Sequence, residues 1–251
     1  MKTICFLFMI MVLSPLFSAD LPAYVAEFDK SLAIELYRAE LPQSADKERI
    51  YRSLAHLYVE TGQTGLAEDC YRHLIRIGDG EAYRDYTAFL YDHAMYEKLR
   101  HTIRDAGLEG AAYRLLTAES YFREAHFDSC RTIAMSLSSE KAEELLRLSG
   151  RGLGIPLRSP LLGGAMSALV PGSGKMYAGR WMDGVQAFSM VAAPAFNAWY
   201  HFDKKGVRSV RGWIWSTAAL WFYLSDIYGS VKAVREYNEA QKFKIVREYQ
   251  P

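Results

Sequence analysis

The sequence predicts an all-α protein in which a helical-repeat solenoid precedes a transmembrane helical hairpin. Apolar residues recur at three- and four-residue intervals between Lys47 and Ser149, no strand-like alternation persists there, and two long apolar runs follow. The chain has 251 residues, which is enough for one or two domains with a sizeable core. Because 30 basic residues nearly balance 29 acidic ones, no global charge points to a nucleic-acid partner.

Residues 1–19 have the pattern of a secretory signal peptide, with Lys2 at the start and the apolar run "ICFLFMIMVL" ahead of Ala19. Phe17 lies three positions before the expected cleavage site, where a small residue is preferred. An uncleaved N-terminal anchor is therefore the alternative. Export from the cytoplasm is the prediction.

The clearest helical unit is "YRSLAHLYVETGQTGLAEDCYRHLIRI". Gly62 marks the turn between two helices, because glycine ends helices readily. The apolar faces of the two helices are formed by Tyr51, Leu54, Ala55 and Tyr58 and by Ala67, Tyr71 and Leu74. Small residues at Ala55 and Ala67 predict that the two helices approach closely.

This order of aromatic, Leu-Ala, Tyr, Gly, Ala and aromatic residues resembles the tetratricopeptide repeat, whose period is about 34 residues. Two weaker and slightly shorter units follow, from Tyr83 to Ala106 and from Leu115 to Leu137. The resemblance implies that residues 20–150 form a tetratricopeptide-like repeat domain, capped by helices at 24–41 and 140–148. An irregular all-helical domain is the alternative.

Repeat arrays of this kind resemble scaffolds that bind proteins or peptides on a concave surface. A protein or peptide partner is therefore expected. The candidate partner-binding residues are polar positions on the first helices, namely Arg52, His56, Arg84 and Arg114.

Removal of the signal peptide takes Cys5 away and leaves Cys70 and Cys130. An oxidising compartment permits one disulfide between them. They fall on the second helices of different repeats with another repeat between them, which predicts too large a separation. We expect two buried, free thiols.

Residues 151–182 form a glycine-rich segment that we expect at the membrane interface. Within it, "ALVPGSGKMYAGRW" places Gly174 beside Lys175, as a phosphate-binding loop does. That loop needs glycine where Leu169 stands and a hydroxyl where Met176 stands. The sequence therefore predicts no nucleotide and names no cofactor.

Residues 183–231 are predicted to form a two-helix membrane hairpin, followed by a polar amphipathic tail at 232–251. The run from Gly184 to Phe202 has no charged residue, and Asp226 is the one charge between Gly212 and Val231. Each run is close to the roughly 20 residues that a membrane-spanning helix needs. A buried hairpin in a soluble domain is the alternative.

The stretch "PGSGKMYAGRWMDG" resembles the turn of small two-span membrane modules, which are attached to repeat domains in bacterial envelope proteins of unassigned activity. The resemblance brings no catalytic residue. We expect a tight glycine turn ahead of the hairpin, with Asp183 capping the next helix. The residues of this turn are Pro171, Gly172, Gly174, Tyr177, Gly179, Arg180, Asp183 and Gly184.

Two polar residues, Asn197 and Asp226, lie inside the apolar runs. Asp226 is near one end of its run, so we expect its carboxylate to reach water. In the alternative, Asp226, Asn197 and Gln186 line a polar seam between the two helices.

No catalytic pattern is present: the six histidines lack the paired spacing of zinc-protease helices, and no Gly-x-Ser-x-Gly elbow occurs. The sequence therefore predicts a non-enzymatic envelope scaffold or assembly factor. Membrane lipid is its second partner, and its repeats face the periplasm or exterior at a bacterial cell membrane. The alternatives are a small transport or lipid-handling component and an enzyme whose site is built from dispersed residues.

Overall fold

The computed structural model describes residues 21–249, which contain helices and no strand. The all-α fold class is thereby confirmed for this part of the chain. The predicted signal peptide and Cys5 lie outside the described residues. Contacts divide the chain into two compact units with the boundary between Leu108 and Glu109.

The first unit consists of helices that pack mainly against their neighbours in the chain. This nearest-neighbour packing is typical of stacked helical hairpins. The helices are α1 (Leu21–Ala26), α2 (Lys30–Glu40), α3 (Lys47–Glu60), α4 (Thr64–Ile77), α5 (Ala82–Asp92) and α6 (Tyr96–Asp105).

Helices α3 and α4 form the predicted first pair, with Ala55 and Ala67 fully buried where the helices meet. Leu54 and Leu74 are buried beside them. Asp46 caps α3 by accepting a hydrogen bond of 3.1 Å from the Arg49 N–H group. The apolar spacing of the sequence therefore located both helices and their contact.

The turn inside each predicted helix pair has the same backbone conformation. Gly62, Ala94 and Ala125 occupy equivalent positions with φ of 74°, 55° and 59°. In each turn the next residue donates its N–H group to a carbonyl five residues back, as in Gln63 to Tyr58, Met95 to Leu90 and His126 to Tyr121. Alanine rarely adopts a left-handed conformation, so its recurrence shows that the helix pairs impose one geometry.

The second unit begins with the third helix pair and ends with the hairpin. Its helices are α7 (Ala111–Arg123), α8 (Phe127–Ala134), α9 (Glu140–Leu153), α10 (Pro160–Leu169), α11 (Ser173–Tyr177), α12 (Trp181–Lys205) and α13 (Val210–Val246). A single 3₁₀ turn, Gly206–Arg208, joins α12 to α13.

Helix α13 has 37 residues and a length of about 55 Å. It pairs with α12 along its first half, and α10 and α11 pack on its middle. After the helix ends, Tyr249 packs with Phe122 in the core of α7–α9, and its hydroxyl donates a hydrogen bond to buried Glu119. The predicted boundary between hairpin and tail, after Val231, falls inside this continuous helix.

The predicted helical hairpin is present as α12 and α13. Within residues 21–249, however, no helix combines the length and the apolarity that crossing a membrane requires. The predicted transmembrane character of the hairpin therefore finds no support in the structure.

Candidate functional site

The glycine turn connects α10 to α12 through the short helix α11. Gly172 occupies the N-cap position of α11 with φ of 84°, and Gly179 follows α11 with φ of 83°. Both angles lie in the left-handed region that glycine adopts without strain. The two glycines therefore set the direction in which the chain enters and leaves α11.

Gly172 and Gly174 are also needed for close contact between backbones. A Cβ atom on Gly172 would lie 2.0 Å from the Gly184 carbonyl oxygen, and one on Gly174 would lie 2.0 Å from the Gly163 carbonyl oxygen. No side chain fits at such distances. A Cβ atom on Gly179 would make only ordinary contact, 3.8 Å from a guanidinium nitrogen of Arg158, so Gly179 is needed for its backbone angle.

Asp226 of α13 holds the start of α11 in place. This residue is only 3% exposed, and its Oδ2 atom accepts a hydrogen bond of 2.6 Å from the Gly172 N–H group. The Lys175 ammonium lies 3.0 Å from Oδ1, at ion-pair distance without the orientation of a hydrogen bond. The prediction that Asp226 reaches water is wrong, because α10 and α11 cover this part of α13.

Lys175 therefore balances a buried carboxylate, which gives its position beside the glycines a structural reason. Its side chain is 23% exposed, so Lys175 is the partly solvent-exposed member of the pair. Ser173, two residues before it, has a buried hydroxyl without a hydrogen-bond partner among the described residues.

A buried pair of serines continues the contact one turn further along α13. Ser167 of α10 and Ser230 of α13 lie 2.7 Å apart between hydroxyl oxygens, and the Gly174 N–H group donates to Ser167 over 3.0 Å. Helices α10, α11 and α13 are thus joined by hydrogen bonds through the two serine hydroxyl groups. Since buried polar groups are costly without partners, this network favours one register of α10 and α11 on α13.

Arg158 fixes the segment before α10 against α13. Its guanidinium lies 3.9 Å from the ring centroid of Tyr237 and donates to the Tyr177 carbonyl oxygen. Asn238 accepts from the Arg158 N–H group over 2.9 Å and donates to the Arg158 carbonyl oxygen over 2.8 Å. Arg158 thus joins the segment before α10 both to α13 and to the end of α11.

The remaining residues of the predicted turn lie at its surface. Arg180 forms ion pairs with Asp183 at 3.0 Å and with Glu236 at 2.8 Å. Arg180 also occupies the N-cap position of α12, and no side-chain hydrogen bond caps that helix. Asp183 therefore lies in the first turn of α12 and does not cap it as predicted, and Pro171 is half-buried.

The polar seam of the alternative interpretation is not formed by these residues. Asn197 donates its side-chain amide to the Ala193 carbonyl oxygen of its own helix over 2.9 Å. Gln186 is exposed, while Asp226 is bound to Gly172 and Lys175. A transport pathway through these three residues therefore has no geometric basis in the described structure.

The four predicted partner-binding residues differ in their surroundings. Arg52 forms ion pairs at 2.5 Å with both Asp79 and Asp85, which tie α3 to α5 and the loop before it. Burial alone would lower the pKa of Arg52, but the two carboxylates outweigh it and raise that pKa. The Arg52 charge is thus matched within the first unit.

Among the other three, Arg84 pairs with Glu81 at 2.5 Å, and His56 lies 3.4 Å from Glu60 with its side chain 74% exposed. Arg114 is exposed and belongs to the second unit. His56 is therefore the candidate in the first unit whose side chain is most available to a partner.

Glu68 forms a second polar network that sequence reasoning missed. It accepts hydrogen bonds from Lys98 of α6 at 2.8 Å and from the Tyr86 hydroxyl of α5 at 3.1 Å, and it pairs with Arg72 at 2.7 Å. Partial burial by itself would raise the pKa of Glu68, but Lys98 and Arg72 outweigh it and lower that pKa. Glu68 therefore links three successive helices.

Cys70 and Cys130 are free and buried, as predicted. Burial raises the pKa of each thiol to about 12. No group of three or more metal-ligating side chains occurs between residues 21 and 249.

The residues of the buried contact on α13 recur every four positions: Asp226, Ser230, Val234 and Asn238. Such spacing places side chains on one helix face, so the sequence does contain a signal for this contact. It was obscured because α13 is apolar or aromatic on several sides. No protein-family model, curated protein or solved structure matches the chain.

Proposed function

We propose that this protein is a membrane-attached scaffold of a bacterial envelope, which holds a protein or peptide partner on its helical repeats outside the cytoplasm. The hairpin of α12 and α13 attaches it to lipid through exposed apolar side chains. Attachment raises the effective concentration of the repeats for partners near the membrane without any further contact. No catalytic step is needed for this role.

The recurrent turn geometry supports the repeat half of the proposal. Gly62, Ala94 and Ala125 share a left-handed conformation and equivalent hydrogen bonds at intervals of 32 and 31 residues. Such spacing is close to the tetratricopeptide period of about 34 residues. Arrays of these pairs use their exposed surface for peptides and proteins, and His56 is a candidate contact.

The single observation that carries the membrane half is the exposed surface of the hairpin. Large apolar side chains are exposed along both helices, although apolar residues of this size usually enter a core or an interface. They include Phe188, Met190, Phe196, Trp199, Tyr200, Trp213, Ile214, Trp215, Leu220, Trp221, Leu224 and Tyr228. Trp and Tyr are the residues enriched where a membrane meets water.

The form of attachment that we propose is peripheral. Apolar side chains of the hairpin enter the outer part of the bilayer, as they do in helices that lie in the interface plane. The Asp226–Lys175 pair and the serine pair hold α10 and α11 on α13, so the base of the hairpin is fixed by buried polar bonds.

Cell fractionation of the full chain tests the membrane half. We expect the protein in the membrane fraction, and we expect Phe196→Ser, Trp199→Ser and Trp221→Ser together to release it. The control is a triple variant at exposed apolar positions outside the hairpin, Leu66→Ser, Ile77→Ser and Met135→Ser. Equal behaviour of both triple variants would contradict lipid attachment through the hairpin.

Site-specific photo-crosslinking tests the partner half. A photoreactive residue replaces His56 on α3, and in a matched variant it replaces the exposed Leu66 on α4. The proposal expects a discrete adduct from position 56 that is absent from position 66. Identical adduct patterns from both positions would count against a partner surface on the first helices of the repeats.

A further inference from the structure

We propose that the hairpin tip, residues 203–214, docks on an anionic phospholipid surface, with its cations on the headgroups and its apolar side chains below them. This inference rests on the proposed membrane attachment and names the lipid class and the part of the hairpin that recognises it.

The charge of the hairpin tip points to an anionic surface. Lys204, Lys205, Arg208 and Arg211 are all exposed there, against a single acid, Asp203. Within residues 21–249, no carboxylate pairs with Lys205, Arg208 or Arg211. Basic residues beside an apolar surface attract anionic lipids, each contributing about 1 kcal/mol near the membrane.

The apolar side chains of the tip point outward next to these cations. Val207 is 77% exposed and Val210 is 72% exposed, although both are aliphatic and lie at the end of the hairpin. Trp213 and Ile214 are exposed one turn further along. Apolar residues flanked by lysine and arginine are typical of segments that enter the headgroup region of a bilayer.

The polar groups of the tip are bonded internally, which lowers the cost of entering lipid. The Trp213 indole N–H group donates to the Val207 carbonyl oxygen over 2.9 Å, so its ring can be buried without loss of that bond. Ser209 accepts from the Gly212 N–H group over 3.2 Å and donates its own N–H group to Gly206 over 3.1 Å. These hydrogen bonds can be kept when the tip enters lipid, which lowers the cost of insertion.

Close packing keeps the tip in this shape. A Cβ atom on Gly212 would lie 2.5 Å from the Phe202 ring, and that ring packs edge-on against Trp213 at 5.5 Å between centroids. Gly212 and the aromatic pair therefore hold the start of α13 against the end of α12. A second copy of the chain is a poorer occupant, because two tips would bring like charges together.

Co-sedimentation of the full chain with vesicles tests the inference. Vesicles of phosphatidylcholine alone are compared with vesicles that also contain phosphatidylglycerol. We expect tighter binding to the anionic vesicles, weakened by added salt. Lys205→Gln with Arg208→Gln should weaken that binding about 30-fold, while binding to neutral vesicles stays unchanged.

The control variant, Lys47→Gln with Lys141→Gln, removes the same charge from exposed positions outside the hairpin and should bind as the wild type does. Equal binding to both vesicle types, or equal weakening by both double variants, would overturn the inference and leave membrane attachment intact. If the protein bound neither vesicle type, both this inference and the proposed membrane attachment would be overturned. If the protein formed dimers without lipid and the tip variant disrupted them, the tip would be a contact between two copies of the chain instead.

Discussion

The buried pair of Lys175 and Asp226 allows a sharp test of how the glycine turn is held on the hairpin. Three variants separate its contributions: Lys175→Met, Asp226→Asn and the double variant. Lys175→Met leaves the carboxylate charge in place, and Asp226→Asn removes that charge but keeps an oxygen that can accept from the Gly172 N–H group.

The exposures of the two side chains set the expected order. Asp226 is 3% exposed, so Lys175→Met leaves a carboxylate that is both buried and unpaired. We expect a loss of about 3–5 kcal/mol in the free energy of unfolding. Lys175 is 23% exposed and can turn toward solvent, so Asp226→Asn should cost about 1–2 kcal/mol. The double variant should be more stable than Lys175→Met alone.

Tryptophan fluorescence during urea unfolding measures these differences in the free energy of unfolding for the second unit of the chain. All five tryptophans lie on α12 and α13, so the signal reports on the second unit. Gln241→Ala, a change of a polar residue elsewhere on α13, serves as a control that leaves the pair intact. Additive losses in the double variant, or a larger loss for Asp226→Asn than for Lys175→Met, would refute the reasoning.

Three further predictions concern the helix pairs formed by α3 to α8. Gly62→Ala should destabilise the first unit by about 1 kcal/mol, because alanine is strained at a φ of 74°. No atom crowds the added methyl group, so the backbone strain is the whole cost. Ala94→Gly should relieve the same strain and stabilise the unit by up to about 1 kcal/mol. Thermal unfolding followed by circular dichroism measures both, and shifts of the same sign would disagree with the assigned turn. Cys70 and Cys130, with pKa values of about 12, should react with a maleimide only as fast as the chain opens, and labelling at the rate of an exposed thiol would disprove their burial. The pKa of Glu68 is lowered from its ordinary value of 4.5, so its stabilising contribution is present above that pH and is lost as the pH falls through the folded-state pKa. Urea unfolding of wild type and Glu68→Gln across this acid range should show a smaller pH dependence for the variant, and identical slopes would exclude the linkage.

The helix pairs could be predicted because their signals are local. The spacing of Leu54, Ala55 and Ala67 and the turn at Gly62 lie within one helix pair, and the structure places them as expected. The left-handed turns at Ala94 and Ala125 could not be foreseen, since alanine disfavours that conformation. There the packing of the helix pair overrides the local preference.

The site depended on contacts between distant parts of the sequence. Neither Lys175 nor Asp226 indicates its partner, because the pairing exists only after α10 and α11 fold onto α13. Asp226 was expected to reach water from its place in an apolar run, but position along a run does not fix what packs above a residue. For the hairpin, the length of the apolar runs predicted membrane-spanning helices, although polar residues such as Gln186 and Asn197 lie inside those runs.

Contact between the hairpin tryptophans and lipid acyl chains tests the central claim most directly. The full chain is mixed with vesicles whose acyl chains carry bromine, which quenches tryptophan fluorescence on contact, and with matched unbrominated vesicles. We expect clear quenching by the brominated vesicles, and less quenching in the Trp199→Ser and Trp221→Ser double variant. Equal fluorescence in both kinds of vesicle, with the protein bound, would contradict insertion of the hairpin surface into lipid.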